Sequence, residues 1–487
     1  MILNQDVYFD AIYDVIILGF GGAGATAARF AAESGAKVLL VDSAPKGKEG
    51  GNTKYFGHLV DFKILRKSYN NLVCPFNLSW KAFQATINNV LEIGDLYPTT
   101  VKNEKTKFKK YDVFKNSQTK KNAALWNSLK QNVLKRTSKI NIWYESIPKY
   151  IIKDPEGKSV IGVQIEKNYV IRNIRAKNGI ILATGGFENN PDMVKNFIGK
   201  TKFIVRDSLY NKGQGIKLSN ELKAKMWHMN KYNSVNLLQN LPFFNSNIGN
   251  FSLVSSSILH SYMNKGLKIE NKINSKSRKP QLELQNIFKF SNLFNFVSQK
   301  KQKQVYLVLG IKVYKEFKQI INSQNEKPPS FIIKINTLTE LAKYFNLKPD
   351  KLRESLAKFN LNSKKNIKHI LGKLSKNSQF LGKQGPYYVI PIFQILLNTL
   401  GGPKRNNKTE VLDSENQIIP HLYAAGELGS YFSNFGPEIQ GLGDCLISGK
   451  IAGKNAAKTK NDKYSKMWAS EDLIPDAQTS PTQNLNY

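Results

Sequence analysis

Residues 14–53 read DVIILGFGGAGATAARFAAESGAKVLLVDSAPKGKEGGNT, and no other stretch of the chain constrains its fold so tightly. Val15, Ile16, Ile17 and Leu18 form an unbroken apolar run, as expected of a parallel strand buried on both faces. Gly19, Gly21 and Gly24 follow with the spacing G-x-G-x-x-G. Gly19 permits a tight turn, Gly21 lets the backbone approach a pyrophosphate, and Gly24 lets the next helix pack close to the strand. An alanine-rich helix is expected from Gly22 and Ala23 onward, its free N–H groups and positive dipole end towards phosphate. Lys37–Val41 supply a second strand, and Asp42 at its end is placed to accept hydrogen bonds from ribose hydroxyls. Strand, glycine turn, helix, strand and terminal acid together predict a unit that holds the ADP half of a dinucleotide.

A chain of 487 residues exceeds one ordinary core and implies two domains or a domain with a large insertion. Its two cysteines, Cys74 and Cys445, rule out a disulfide framework, an attached c-type haem and an iron–sulfur cluster. The five histidines (His58, His228, His260, His369 and His421) show no metal-ligand spacing and read as structural. The first residues lack the basic and apolar segments of a leader, and no apolar run approaches about 18 residues, so no membrane span is expected. A reducing, cytoplasmic setting follows as the expectation.

The formal net charge of +36 raises the question of a nucleic-acid or anionic-surface partner. Only nine of the 72 basic residues are arginine, the side chain that nucleic-acid interfaces favour for bidentate contacts. The lysines are dispersed among asparagine and isoleucine, which reads as solvated surface. A nucleic-acid partner is therefore not expected, although a field of this sign would attract anionic substrates.

Residues 55–145 read as mainly helical around a lysine-rich loop, KNEKTKFKKYDVFKNSQTKKN. From Ile140 the pattern changes to short strands, with Asp154–Gly157 as a hairpin turn, and NGIILATGGFE is a further buried strand running into glycines. The segment INTLTELAKYFNLKPDKLRESLAKFN reads as two amphipathic helices broken near Lys348–Pro349. The expected division is a nucleotide-binding domain in two parts, residues 1–235 and 386–466, interrupted by residues 236–385 and followed by a loosely ordered tail, 467–487.

Four segments together point to a flavin: the N-terminal unit; GGNT at Gly50, Gly51, Asn52 and Thr53; ATGGFE from Ala183 to Glu188; and LYAAGELGS, Leu422–Ser430, followed by GLGDCLISGKIAGKNAA, Gly441–Ala457. With these motifs in this order, the sequence resembles the superfamily of FAD-dependent fumarate reductases and 3-ketosteroid dehydrogenases. The likeness covers residues 10–60, 120–230 and 385–460 well. It implies an α/β fold: a Rossmann-like FAD-binding domain of the glutathione-reductase type with an inserted α+β capping domain. It assigns Gly19–Gly24, Asp42 and Ser43 to the ADP half of FAD, and Gly50–Thr53 to the pyrophosphate and flavin side. Ala183, Thr184, Gly185 and Gly186 would flank the dinucleotide, and Glu427 would contact the ribityl chain. Gly441 and Leu442 open a helix whose N-terminus would face the N1/C2=O edge of the flavin, where reduced flavin carries negative charge.

The departures from this pattern bear on substrate. Asn398, in LLNTLGGP, stands where the fumarate reductases of the superfamily carry a histidine, beside the glycine pair Gly401–Gly402 on the substrate side. The loop LGSYFSNFGPEIQGLGD holds no arginine, and Arg278 reads as a solvated base, so fumarate is not the expected substrate. The steroid dehydrogenases use tyrosines to polarise a carbonyl and move a proton, and Tyr387, Tyr388 and Tyr431 are the candidates here. Gln214 replaces the acid of a common G-D-G, and Pro437–Gln440 replace a glycine-rich loop.

The expected function is an FAD-dependent oxidoreductase. It would transfer hydride between flavin N5 and a carbonyl-activated C–C or C=C bond of a small molecule, steroid-like enone or unsaturated acid. One alternative is a flavin-fold protein without turnover that acts as a basic binding or interaction protein; the charge and the altered loop motivate it. An NAD-dependent dehydrogenase shares the N-terminal motif but leaves AAGE and GLGDCLISG unexplained. No second dinucleotide fingerprint is present, so the electron donor or acceptor is unassigned.

Overall fold

A computed structural model of the protein describes residues 2–3, 7–55, 80–91, 98–99, 110–111, 124–199, 204–205, 208–238, 267–270, 305–311, 314–315, 332–350, 352–354, 356–357, 384–431 and 442–459. The lysine-rich loop apart from residues 110–111, Arg278, residues 437–440, Gly441 and the tail from 467 lie outside them. The chain divides into two compact units: Met1–Gly199 with Asp207–Asn233 and Asn398–Tyr487, and Lys200–Arg206 with Ser234–Leu397.

The first unit is built on the apolar runs read from the sequence. β1 (Ala11–Leu18) leads through the glycine turn into α1 (Gly22–Glu33), and β2 (Val38–Val41) returns parallel to β1 with Leu18 beside Val41. Helix α2 (Trp80–Leu91) and helix α3 (Ala124–Leu134) precede β3 (Ile140–Trp143), which lies parallel on the far side of β2. The chain then makes an antiparallel excursion through β4 (Ser146–Lys153) and β5 (Val160–Lys167), turning at Asp154, whose carboxylate accepts the N–H groups of Lys158 and Ser159 at 2.7 and 3.1 Å. β6 (Val170–Leu182) has 13 residues and serves two partners on one side. Its first half pairs antiparallel with β5, and Ile180–Leu182 pair parallel with β8. Its other side lies parallel to β1. After α4 (Gln214–Glu221), β7 (Glu410–Leu412) pairs with β8 (Ile418–Ala424), and α5 (Leu442–Lys458) closes the unit.

The parallel part of this sheet runs β3–β2–β1–β6–β8, the order of a Rossmann-like fold. Register puts Leu18, Val41, Leu182 and Ala424 at one edge, so the segments after four strands gather there. Val15, Ile16 and Ile17 are wholly buried, as the unbroken apolar run requires of a strand covered on both faces. Helices α1 and α5 approach so closely that a Cβ on Gly449 would lie 2.7 Å from Ala23 O, and one on Gly453 would lie 2.4 Å from Ala27 O. Only glycines opposite alanines permit that spacing.

In the second unit the strand Tyr387–Thr399, whose last two residues belong to the first unit, pairs antiparallel with Val305–Gly310 and with Ile333–Ile335. Val305–Gly310 pairs in turn with Leu267–Glu270. The first of the two expected amphipathic helices forms over Leu338–Tyr344, started by a capping box in which Thr337 and Glu340 satisfy each other's backbone N–H groups. Leu341, Phe345, Leu352, Tyr387 and Val389 fill a separate core. An α+β unit inserted between two parts of a Rossmann-like unit is the resulting architecture.

Candidate dinucleotide site

The edge where the four strands end opens into a cavity of about 300 Å³, lined among others by Gly19–Ala23, Asp42, Asn52, Ala183–Gly185 and Glu427. The glycines that shape it have different reasons to be glycine. Gly19 has φ +111°, and a Cβ there would lie 2.3 Å from Ala183 O. A Cβ on Gly24 would lie 1.8 Å from Gly19 O, so the start of α1 is seated directly on the turn. Gly21 differs: its Cβ would meet Gly50 O at 3.6 Å, an ordinary contact. Gly51 has φ +52° and a Cβ there would meet only Gly21 Cα, at 3.6 Å. Side chains at Gly21 and Gly51 would thus stand in the cavity, without clashing with the protein. Gly50 has φ +120° and packs under the Trp126 ring.

Helix α1 starts without a side-chain cap at Gly21. Gly22 N–H donates to Thr53 Oγ1 at 3.1 Å, and Ala23 also lines the cavity at the helix start. A helix N-terminus between two glycine turns, with no side chain on its own N-cap residue, is suited to a pyrophosphate. Asp42 follows β2 as expected. Its carboxylate accepts Phe20 N–H at 2.6 Å and Ala44 N–H at 2.7 Å. Burial pushes its pKa up to about 6 against the pull of those two bonds, with Glu49 adding to the rise. Each oxygen keeps a lone pair for a ribose hydroxyl.

On another wall, two carboxylates are joined through one amide. Asn52 Nδ2 donates to Glu188 Oε1 at 2.8 Å and to Glu427 Oε2 at 3.1 Å, while its Oδ1 accepts Ser208 N–H at 3.1 Å. Glu188 also accepts from Asn211 Nδ2 at 2.6 Å and from Thr399 Oγ1 at 3.0 Å. Asn398 Nδ2 donates to Glu427 Oε1, and Asn233 Nδ2 donates to Asn398 Oδ1 at 2.8 Å. Burial raises the pKa of Glu188, opposed by its three side-chain donors. The side chains of Asn52 and Asn398 are therefore engaged within the protein, and of this group Asn52, Ser208, Asn211 and Glu427 line the cavity.

A buried clamp fixes the loop that carries Glu427. Arg405 donates to Gly426 O at 3.0 Å and to Leu428 O at 3.3 Å, and pairs with Asp444 in the first turn of α5 at 2.7 Å. Tyr431 N–H donates to the other Asp444 oxygen at 3.0 Å, and the Tyr431 hydroxyl donates to Arg405 O. Burial pushes the Tyr431 pKa up to about 12. Cys445 lines the cavity one residue further along α5; burial, with Glu427 and Asp444 adding, holds its thiol protonated.

The other residues singled out from the sequence fall as follows. Ser43 and Thr184 line the cavity, and Thr184 Oγ1 accepts Gly215 N–H at 3.1 Å. Gly186 lies against Thr399, where a Cβ would be 2.1 Å from its hydroxyl. Gly401 packs on Met229 and Gly402 on Gly429 N, so the glycine pair serves close backbone packing. Leu442 opens α5. Gln214 opens α4, lines the cavity and donates to Pro148 O at 2.5 Å. Tyr387 and Tyr388 belong to the second unit: Tyr387 is sealed in its core, and Tyr388 stacks on Tyr314 with ring centroids 3.6 Å apart. Arg353, a second arginine of the inserted segment, pairs with Asp350 on an exposed turn. Glu188, Asn211, Arg405 and Asp444 were not assigned from the sequence. Glu188 ends a motif read for its glycines, and Asp444 stands in GLGDC.

The profile described as "FAD binding domain" matches residues 266–437, and that of "Glucose inhibited division protein A" matches residues 14–223. The vinyl phenol reductase of Lactiplantibacillus plantarum is 26% identical over 92% of this chain and 96% of its own. A fumarate reductase (cytochrome) of Shewanella frigidimarina is 23% identical over 91% of this chain and 77% of its own. Among solved structures, the 3-ketosteroid-delta4-(5alpha)-dehydrogenase of Rhodococcus jostii RHA1 superposes with a TM-score of 0.65 at 18% identity, covering 94% of this chain and 99% of that one. The resemblance read from the motifs is borne out, and the fold is an FAD-binding Rossmann-like one with FAD as its cofactor. Among the described residues, no helix is long and apolar enough to cross a membrane.

Proposed function

We propose that this protein is an FAD-dependent oxidoreductase that acts on a carbonyl-activated carbon–carbon bond of a small molecule. The observation that carries the reading is the cavity itself, in which the start of α1, two open glycines, Asp42 and Glu427 meet at the edge of a Rossmann-like sheet. The match to vinyl phenol reductase over nearly the full length of both chains supports a carbon–carbon double bond as target.

FAD, when bound, supplies hydride exchange at its N5 with a substrate carbon. The residues of this chain hold and orient it. The start of α1 would receive the pyrophosphate, Asp42 would accept ribose hydroxyls, and Glu427 would accept from the ribityl chain. The N-terminus of α5, fixed by the Arg405–Asp444 pair, would lend positive potential to a flavin edge that becomes negative on reduction. Tyr388 is our choice for the proton donor at the substrate, because the Tyr431 hydroxyl is committed to Arg405 O and Tyr387 is sealed in a core. Fumarate stays outside the proposed range: Asn398, at the position of a carboxylate-gripping histidine, spends its amide on Glu427 and Asn233. The scarcity of cysteine supports work in the cytoplasm.

The test is the visible spectrum of the purified protein, followed by anaerobic reduction and a panel of enones, enoates and 4-vinylphenol. Oxidised-flavin absorbance should return with the enones or the enoates; return with 4-vinylphenol alone would keep the carbon–carbon double bond as target and remove the carbonyl activation. Protein that neither carries FAD nor takes it up would overturn the reading. FAD uptake with no reoxidation by any member, together with salt-dependent binding to nucleic acid, would favour a basic binding protein instead.

A further inference from the structure

The carboxylate of Glu188 has no place in the chemistry described so far, yet it is buried to 2% exposure and surrounded by side chains that can only donate to it. Asn52 and Asn211 present amide N–H groups, and Thr399 Oγ1 donates while accepting Phe187 N–H at 2.8 Å. A buried carboxylate costs several kcal/mol unless satisfied in this way, which makes its retention informative. Its consequence falls on Asn52. A primary amide has two N–H groups and one carbonyl oxygen, and here one N–H serves Glu188, the other serves Glu427, and the oxygen takes Ser208 N–H. A flip of this amide would place its oxygen against two carboxylates and an N–H group against Ser208 N–H. Glu188 therefore dictates which way Asn52 points, and Asn52 in turn holds one of the two Glu427 oxygens; Asn398 holds the other.

We propose that Glu188 is a positioning residue for the cofactor: acting through the Asn52 carboxamide, it fixes the Glu427 carboxylate as a hydrogen-bond acceptor at the cavity. The inference rests on the reading that Glu427 contacts bound FAD. Glu188 lies in the loop after β6, Asn52 in the turn after β2, and Glu427 in the loop after β8. The relay thus ties three strand ends into one wall of the site.

The test is a double-mutant cycle read as the FAD dissociation constant of the apoprotein, measured by quenching of flavin fluorescence. Glu188→Met keeps the bulk but offers no acceptor to the Asn52 and Asn211 amides, which both donate to Glu188 Oε1. It should weaken FAD binding about tenfold in the wild-type background, and less than about threefold in a Glu427→Gln background, since its effect passes through Glu427. Asn52→Ala removes the bridge and should repeat both results; it carries the cycle if the Glu188 variant does not fold. Equal losses in the two backgrounds would mean a general structural role and would overturn the proposal, as would wild-type affinity in Glu188→Met. Wild-type protein that fails to bind FAD would overturn the cofactor reading and this inference with it, an outcome distinct from the other two.

Discussion

Arg405 and Asp444 form an ion pair 2.7 Å long in which neither side chain reaches solvent. The pair joins the segment before β7 to the first turn of α5, and the same guanidinium holds two carbonyls of the loop carrying Glu427. Breaking a buried pair leaves a charge without compensation, which costs about 3–5 kcal/mol. Arg405→Met should lower stability by that amount in urea unfolding, and the double variant with Asp444→Leu should recover part of it. A single variant within about 0.5 kcal/mol of wild type would mean that the pair is not sealed as described.

Gly21 and Gly24 share a motif but should fail in different ways. Gly24→Ala puts a methyl 1.8 Å from Gly19 O and must displace the helix or the turn. It should lower the melting temperature of the apoprotein, by about 2–3 kcal/mol of stability. Gly21→Ala meets nothing closer than 3.6 Å, so its apoprotein should melt near the wild-type temperature. Its methyl would stand in the cavity, and FAD affinity should fall by about tenfold or more. Equal melting temperatures for the two variants would refute this division of labour.

The apoprotein should lose stability as pH rises past Asp42. Burial raises its carboxyl from 3.8 to about 6, so the folded chain holds a proton that the unfolded chain has already released. Stability from this group is full below about pH 4 and falls until about pH 6, by about 3 kcal/mol for a two-unit shift. Comparing urea unfolding of wild type and Asp42→Asn at pH 4 and pH 7 isolates the effect. The difference between the proteins should move in the variant's favour as pH rises; a constant difference would contradict the raised pKa.

Two tyrosines separate chemistry from scaffolding. Tyr388→Phe should lower turnover about a hundredfold while leaving the flavin spectrum unchanged. Tyr431→Phe loses its bond to Arg405 O and should cost about 1 kcal/mol of stability. Its turnover should stay within about twofold of wild type. Steady-state kinetics on the best substrate of the panel, with thermal melts, distinguishes them; unchanged turnover in Tyr388→Phe would remove the proton assignment.

The parts legible in the sequence are those where one local pattern fixes one local structure. The apolar run before Gly19, the glycine spacing, the hairpin at Asp154 and the helix from Leu442 all appear where the sequence places them. The roles of Asn52 and Asn398 were not legible, because a polar side chain beside a motif gives no sign of whether it faces ligand or protein. That depends on partners such as Glu188 and Asn233, far away in the chain. Arg405 left a usable trace. This chain uses lysine for most of its basic residues, yet among the described residues Arg29, Arg175 and Arg405 are buried. Guanidinium's fixed fork of donors is what a buried cation needs, so in a lysine-biased sequence each arginine deserves inspection before any lysine does.

The close seam between α1 and α5 also sets a timetable for biosynthesis. Ala23 and Ala27 emerge from the ribosome long before Gly449 and Gly453. Until α5 arrives, the alanine face of α1 lacks the cover it has in the folded unit, and the inserted unit can complete its own core in the meantime. A chain stopped before Leu442 would keep the glycine motif and still lack the surface against which the motif's helix is seated.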